Sequence, residues 1–185
     1  PGPSAQLFTL VKVNEDDKLV ALRLSDGDKD VFLATKQGMA IRFTEEDVRP
    51  MGLVAAGVNG MKLEKDDCII GMETLPQKGE LFFLTASGKA KRIELDDFPV
   101  QGRYGKGVIA WKLPESDDLV GMTVGKGTMR VTVHLQDYAP KSARLDEAPI
   151  QSRVAQKGKT VVEIKEEDRV TLMTIPWEVI RPVAK

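Results

Sequence analysis

The chain has 185 residues, 42% hydrophobic and 30% charged, with a formal net charge of −1. That composition is one of a folded domain with a sizeable core, and it excludes a disordered segment. A single Cys68 and a single His134 rule out an intrachain disulfide and a Cys/His zinc centre on ligand count, no apolar run approaches the ~18 residues of a membrane helix, and near-neutral charge counts against nucleic-acid binding unless the charge is segregated.

In chain order, residues 1–4 (PGPS) read as a linker. The stretch VKVNEDDKLVAL (11–22) reads as two apolar pieces around an acidic turn. DVFLATKQGMAIRF, from Asp30, predicts two strands around a turn ending at Gly38. GVNGMKL and CIIGMETL predict two further strands joined by the acidic turn EKDD. ELFFLTASGKAKRI, from Glu80, repeats the first hairpin around Gly88. VQGRYGKGVIAWKL (100–113) places Gly102, Gly105 and Gly107 beside Arg103 and Lys106, ahead of an apolar run. Its glycines fit a loop before a strand or a close backbone approach to a ligand. The spacing is not that of a P-loop, and no helix follows. VTVHLQDYAPKSA (131–143) is a poorer copy of the hairpin, and PWEVIRPVAK forms a tail over 176–185. No capped segment with helical periodicity longer than ~8 residues occurs.

These elements recur every 50 residues. Phe32 falls on Phe82, Gly38 on Gly88, Arg42 on Arg92, Gly57 on Gly107 and Lys62 on Lys112, and RLDEAPIQSR (144–153) falls on ELDDFPVQGR (94–103). The expected organisation is one domain over 5–175, with half a repeat at 5–28 and whole repeats at 30–78, 80–127 and 128–175. Four short strands per repeat match one blade of an all-β, propeller-like array, in which each blade buries its faces on its neighbours.

The repeat resembles the C-terminal domain of the DNA gyrase A subunit, and that of its topoisomerase IV counterpart. The segment VRPMGLVAAGVNGMKLEKDDCIIGM (48–72) is similar to that family's repeat, and QGRYGKG resembles the gyrase A box. In this chain the box would be Gln101, Gly102, Arg103, Tyr104, Gly105, Lys106 and Gly107. Tyr104 stands where the box usually has glycine, Leu53 and Asn59 stand where family repeats often carry Arg, and the third copy, QSRVAQKG, keeps Gln151, Arg153 and Gly158.

The resemblance implies a β-pinwheel of about four four-stranded blades with strands exchanged between neighbours. It implies double-stranded DNA bent around a basic outer edge, in a bacterial cytoplasmic, nucleoid-associated type IIA topoisomerase. Its other partners would be the ATPase subunit of that enzyme, together with the catalytic (breakage-reunion) region of the same polypeptide. It implies no chemistry in the domain itself, no cofactor, no metal, no small-molecule ligand and no membrane. Gyrase and topoisomerase IV both fit.

Charge supports segregation. Residues 84–112 carry six cations against three carboxylates, whereas the acidic residues gather at turns such as Glu64–Asp67 and Glu115–Asp118. Equivalent positions of a blade array share one rim, so a neutral protein can still present a basic edge. The candidate DNA contacts are Arg103 and Lys106, then Lys89, Lys91 and Arg92, then Arg42, Arg153, Lys157 and Lys159. The competing reading of each is solvated surface charge, and the box resemblance favours DNA contact for Arg103 and Lys106. A propeller-like protein-interaction scaffold without DNA binding is the alternative function, and an enzyme finds no convergent acid, base or nucleophile set.

Overall fold

The computed structural model describes residue 9 and residues 11–175. Eleven strands carry the described chain, with three short 3-10 turns and no α-helix. No helix in it is long and apolar enough to cross a membrane.

The first hairpin pairs β1 (Asp30–Thr35) with β2 (Met39–Thr44), in the register Asp30↔Thr44. After a connection, β3 (Ile69–Leu75) returns to the other side of β1. The pattern recurs. The strands β4 (Glu80–Thr85) and β5 (Lys89–Glu94) form a hairpin with Glu80↔Glu94, and β7 (Leu119–Val124) returns to β4. In the third copy β8 (Arg130–Leu135) pairs with β9 (Lys141–Arg144), and β11 (Val170–Thr174) returns to β8. The third hairpin, weak by sequence, keeps the register Arg130↔Arg144, fifty residues beyond its predecessor. Backbone pairing and the inward residues Val131, Val133 and Ala143 suffice to hold it.

The outer strand of the first and second blades comes from the next repeat. The two-residue β6 (Val108–Ile109) adds to β2, and β10 (Lys159–Thr160) adds to β5. The sheets are therefore β3-β1-β2-β6, β10-β5-β4-β7 and β11-β8-β9. All pairings between these strands are antiparallel, and the isolated bridges Val11↔Ala55, Arg42↔Val100 and Arg92↔Ile150 are parallel. One expectation is corrected. The stretch GVNGMKL forms no strand, because among the described residues no hairpin lies beside it to receive it.

Strand alternation decides the core. On β4, Leu81 and Phe83 turn to the first blade, and Phe82 and Leu84 turn to the third. The first seam collects Phe32, Phe83 and Phe98, with Phe32 and Phe98 edge to face at 4.9 Å. The second collects Phe82, Leu84, Val131, Val133, Val162 and Val170. Burial of each such side chain contributes about 1.5–3 kcal/mol, so the array is held by its seams rather than within single blades.

Exchange also explains two turn glycines. Gly38 has φ +86°, and a Cβ there would lie 2.2 Å from the Trp111 carbonyl oxygen. Gly88 has φ +77°, and its Cβ would lie 2.2 Å from that of Val162. Each glycine serves a left-handed turn and lets the next repeat's backbone close onto it. Trp177 and the rest of the tail lie outside the described residues.

Candidate nucleic-acid interface

The loop Gln101–Gly107 lies along the outer edge of the first blade. Gln101 N–H donates to the Arg42 carbonyl at 2.8 Å, and Tyr104 N–H donates to that of Gly60 at 2.8 Å. Lys62 N–H donates to the Gly105 carbonyl at 2.9 Å. The third copy is seated alike, with Gln151 N–H on the Arg92 carbonyl at 2.9 Å.

Arg103 anchors its loop. Its Nε donates to the Asp47 carbonyl at 3.0 Å and its Nη1 to that of Asn59 at 2.5 Å. Arg153 repeats this fifty residues on, with Nε on the Asp97 carbonyl at 3.2 Å and Nη1 on that of Ile109 at 3.0 Å. Both side chains are half-buried, and among the described residues neither Nη2 has a partner. Each arginine thus fixes a loop and keeps one guanidinium edge free.

Lys106 is exposed and pairs with Glu64 at 2.7 Å. The carboxylate raises the lysine pKa and the ammonium lowers that of Glu64. Lys89, Lys157 and Lys159 are exposed as well. Lys89 and Lys157 meet Lys112 around a cleft of about 630 Å³ floored by Trp111. Sequence reasoning passed over Lys112 as a contact, although its identity with Lys62 in the repeat was a signal.

Three of the sequence-derived candidates are not presented to a ligand. Lys91 is fully buried. Its Nζ donates to the carbonyls of Ser152, Arg153 and Ala155 at 3.2, 3.1 and 2.8 Å. It is a structural residue, because the strand period of two turns it inward at the position Ile41 holds in the first blade. Burial pushes its pKa down to about 8, with Asp97 raising and Arg153 lowering it. Arg42 and Arg92 are only 15% exposed. Arg42 pairs with Asp30 and donates to the carbonyls of Leu95 and Phe98, and Arg92 pairs with Glu80 and donates to that of Ala148. Both staple neighbouring blades.

Tyr104 adopts φ +66°, the left-handed conformation that a box glycine takes without cost. Its side chain is 50% exposed.

Comparison with known proteins agrees with this geometry. The family model described as "DNA gyrase C-terminal domain, beta-propeller" matches residues 29–76 and 79–126. The DNA gyrase A subunit of Clostridium acetobutylicum is 50% identical over 50 residues, a segment that is 27% of this chain and 6% of that protein. The crystal structure of the C-terminal domain of DNA topoisomerase IV superposes with a TM-score of 0.84 at 25% identity, over 93% of this chain and 55% of that one. The DNA gyrase A C-terminal domain superposes at 0.54 with 14% identity, over 87% and 71%, a likeness of fold. The chain thus spans a small part of its curated relative and about half of its first structural one. With both matched segments on successive blades, the chain belongs to the DNA gyrase C-terminal domain family.

Proposed function

We propose that this domain, 5–175 with its successive repeats, holds double-stranded DNA by its phosphates along the edge that carries the box loops, and bends it. The carrying observation is the repeated anchoring of Arg103 and Arg153, which sets the cations of successive loops on equivalent surfaces. The contact set is Arg103, Lys106, Lys89, Lys112, Arg153, Lys157 and Lys159. Lysine and arginine on phosphates read no bases, so sequence preference comes from the bendability of the duplex. The domain would serve a bacterial type IIA topoisomerase in the cytoplasm, presenting DNA to the breakage-reunion region of its own polypeptide while the ATPase subunit drives strand passage. It performs no chemistry of its own.

The experiment is a salt titration of binding to a ~40 bp duplex, with Lys106→Ala/Lys112→Ala/Lys157→Ala alongside. Affinity should fall log-linearly with salt, and each lost phosphate contact should lower the slope by ~0.9. Salt-insensitive binding, or a variant with the parent slope, would sink this reading.

A further inference from the structure

The two strand-exchange seams are built alike and charged differently. At the second, a cleft of about 630 Å³ opens between Lys89, Lys112 and Lys157, over Trp111, Leu113 and Pro114. Small-molecule sites have volumes of roughly 300–1,000 Å³, so the cleft is of that size. Among the described residues none of the three lysines has an ion-pair partner. Asp117 also lines the cleft, but its carboxylate is engaged. Its Oδ1 accepts from the Ser87 and Asp118 N–H groups at 3.0 and 3.1 Å, and its Oδ2 from the Ser87 hydroxyl at 2.6 Å. Lys91 stands 5.0 Å over the Trp111 ring and brings a fourth positive charge to the same seam.

The first seam is an internal control. A Cβ on Gly158 would stand 3.0 Å from the Ala90 carbonyl oxygen, as one on Gly107 would stand 2.2 Å from that of Ala40. Lys157, just before Gly158, is therefore the structural counterpart of Lys106, and Lys112 is that of Lys62. Two positions differ. Lys89 stands where the first blade has Met39, and Pro114 stands where it has Glu64. The backbone turn is the same at both, since Asp67 N–H donates to the Glu64 carbonyl at 3.3 Å and Asp117 N–H to that of Pro114 at 3.0 Å. Only the side chains have changed. In the first seam Glu64 pairs with Lys106 at 2.7 Å. In the second, proline removes that counter-charge and Lys89 adds an ammonium.

We propose that this cleft binds a compact polyvalent phosphate anion, of the charge density of a triphosphate, and that this occupant competes with duplex DNA for Lys89, Lys112 and Lys157. The competition rests on the phosphate-binding edge described above; the anion site does not. Charge matching selects the ligand. A duplex phosphodiester brings a single negative charge, and its neighbours are spread along the strand. One such group in the cleft leaves two of the three ammoniums uncompensated. A phosphate monoester carries about −1.5 to −2, and a short chain of linked phosphates carries more within the same reach. Lysine suits such a ligand, because its ammonium is a point charge on a flexible stem and its donors follow any arrangement of oxygens. The apolar surfaces of Trp111, Leu113 and Pro114 keep water from one side of the cleft and strengthen the attraction.

The test titrates tripolyphosphate into the 185-residue chain by calorimetry at ~100 mM salt, with inorganic phosphate and sulfate beside it. One equivalent should bind, at least ~10-fold more tightly than either small anion. Pro114→Glu restores the carboxylate of the first seam and Lys89→Met restores its methionine, and each should weaken tripolyphosphate at least ~10-fold. The converse change, Met39→Lys/Glu64→Gln, should raise the stoichiometry to two. Thermal unfolding of the same proteins confirms that each variant is folded. Absence of saturable binding overturns the proposal, as does equal affinity for sulfate, or parental affinity in both Pro114→Glu and Lys89→Met. In a second titration tripolyphosphate should raise the apparent Kd of a ~40 bp duplex more than sulfate of equal ionic strength does, and this excess should vanish in Pro114→Glu. No excess in the parent overturns the competition. The first titration contains no DNA, so a chain that binds tripolyphosphate but no duplex keeps the anion site and loses the phosphate-binding edge, and a chain that binds duplex alone does the reverse.

Discussion

Lys91 Nζ lies 5.0 Å over the ring of Trp111, and the indole Nε1 of Trp111 donates to the Gln156 carbonyl at 2.8 Å. The two side chains together hold the third box loop. The ammonium satisfies three carbonyls from one side, and the indole takes a fourth. The second box loop lies over Ile41 instead, where a Cβ on Gly105 would stand 3.4 Å from the isoleucine Cδ1, and it turns at positive φ through Tyr104 and Gly107. Lys91 thus caps the carbonyls of a loop that keeps only Gly158 of the three box glycines.

A pH dependence follows from that burial. The ordinary lysine value of 10.5 falls to about 8, so between these values the unfolded chain carries a proton that the folded chain does not. Stability attributable to Lys91 is least below pH 8 and rises with pH up to about 10.5. In Lys91→Met this rise should vanish. The stability of the parent minus that of the variant, from urea unfolding at pH 7 to 10, should grow by roughly 2–3 kcal/mol. Local order should move the other way, because a neutral amine has two N–H groups for three carbonyls, and amide exchange over 152–157 should quicken in the parent above pH 8. A flat difference across this range would show that the buried ammonium does not titrate there.

Arg103 and Lys106 are neighbours in one loop with different duties. Arg103→Ala leaves the carbonyls of Asp47 and Asn59 without their donor and should cost about 1–3 kcal/mol of stability. Arg103→Lys should recover little of it, since a point cation cannot span both carbonyls. Lys106→Ala removes an exposed, solvent-screened ion pair and should leave stability unchanged. It should lower the salt slope of duplex binding by ~0.9. Denaturation and binding measured on the same three proteins separate the two roles. Equal stability losses at both positions would contradict them.

The repeat was legible because a blade needs the same residues at the same places each time. Phe32 and Phe82, Gly38 and Gly88, and Arg42 and Arg92 are constrained by seams and turns that recur. The division of cations into ligands and staples was not legible. Lys89 and Lys91 are two residues apart on β5, yet Lys89 is exposed and Lys91 is enclosed, because the face at Lys91 is covered by a loop sixty residues away in sequence. Arg42 and Arg92 read as rim charge for the same reason, since the carbonyls they meet belong to the next repeat. Lys112 was readable from its match with Lys62, but its cleft forms only when repeats two and three meet.

Hairpin turns give a paired prediction. Gly38→Ala places a Cβ 2.2 Å from the Trp111 carbonyl in a backbone at φ +86°, so both the turn and the strand exchange suffer. The loss should be at least ~3 kcal/mol, with β6 amides exchanging faster. Tyr138 occupies the equivalent turn of the third hairpin at 48% exposure, under Lys165 at 4.4 Å, and receives no strand among the described residues. Tyr138→Gly should stay within about 1 kcal/mol of the parent. Thermal unfolding of the two variants decides it, and comparable losses would mean that the turns are not distinguished by exchange.

Tyr104 tests whether the box loop wants glycine at its fourth position. At φ +66° a tyrosine carries a strain of about 1–2 kcal/mol, and a side chain 50% exposed regains only part of that by packing. Glycine removes the strain but adds about 0.5–1 kcal/mol of unfolded-state entropy. Tyr104→Gly should therefore be neutral or stabilising by up to ~1 kcal/mol. Tyr104→Val should destabilise, because a branched Cβ is least tolerated in this region. The third loop shows the contrast, since Val154 is not among the described residues with positive φ, and there the cage around Lys91 shapes the chain. Val154→Gly should accordingly destabilise rather than help. Chemical denaturation of Tyr104→Gly, Tyr104→Val and Val154→Gly gives three signs. A destabilised Tyr104→Gly would mean that the tyrosine ring, not the loop backbone, sets this turn.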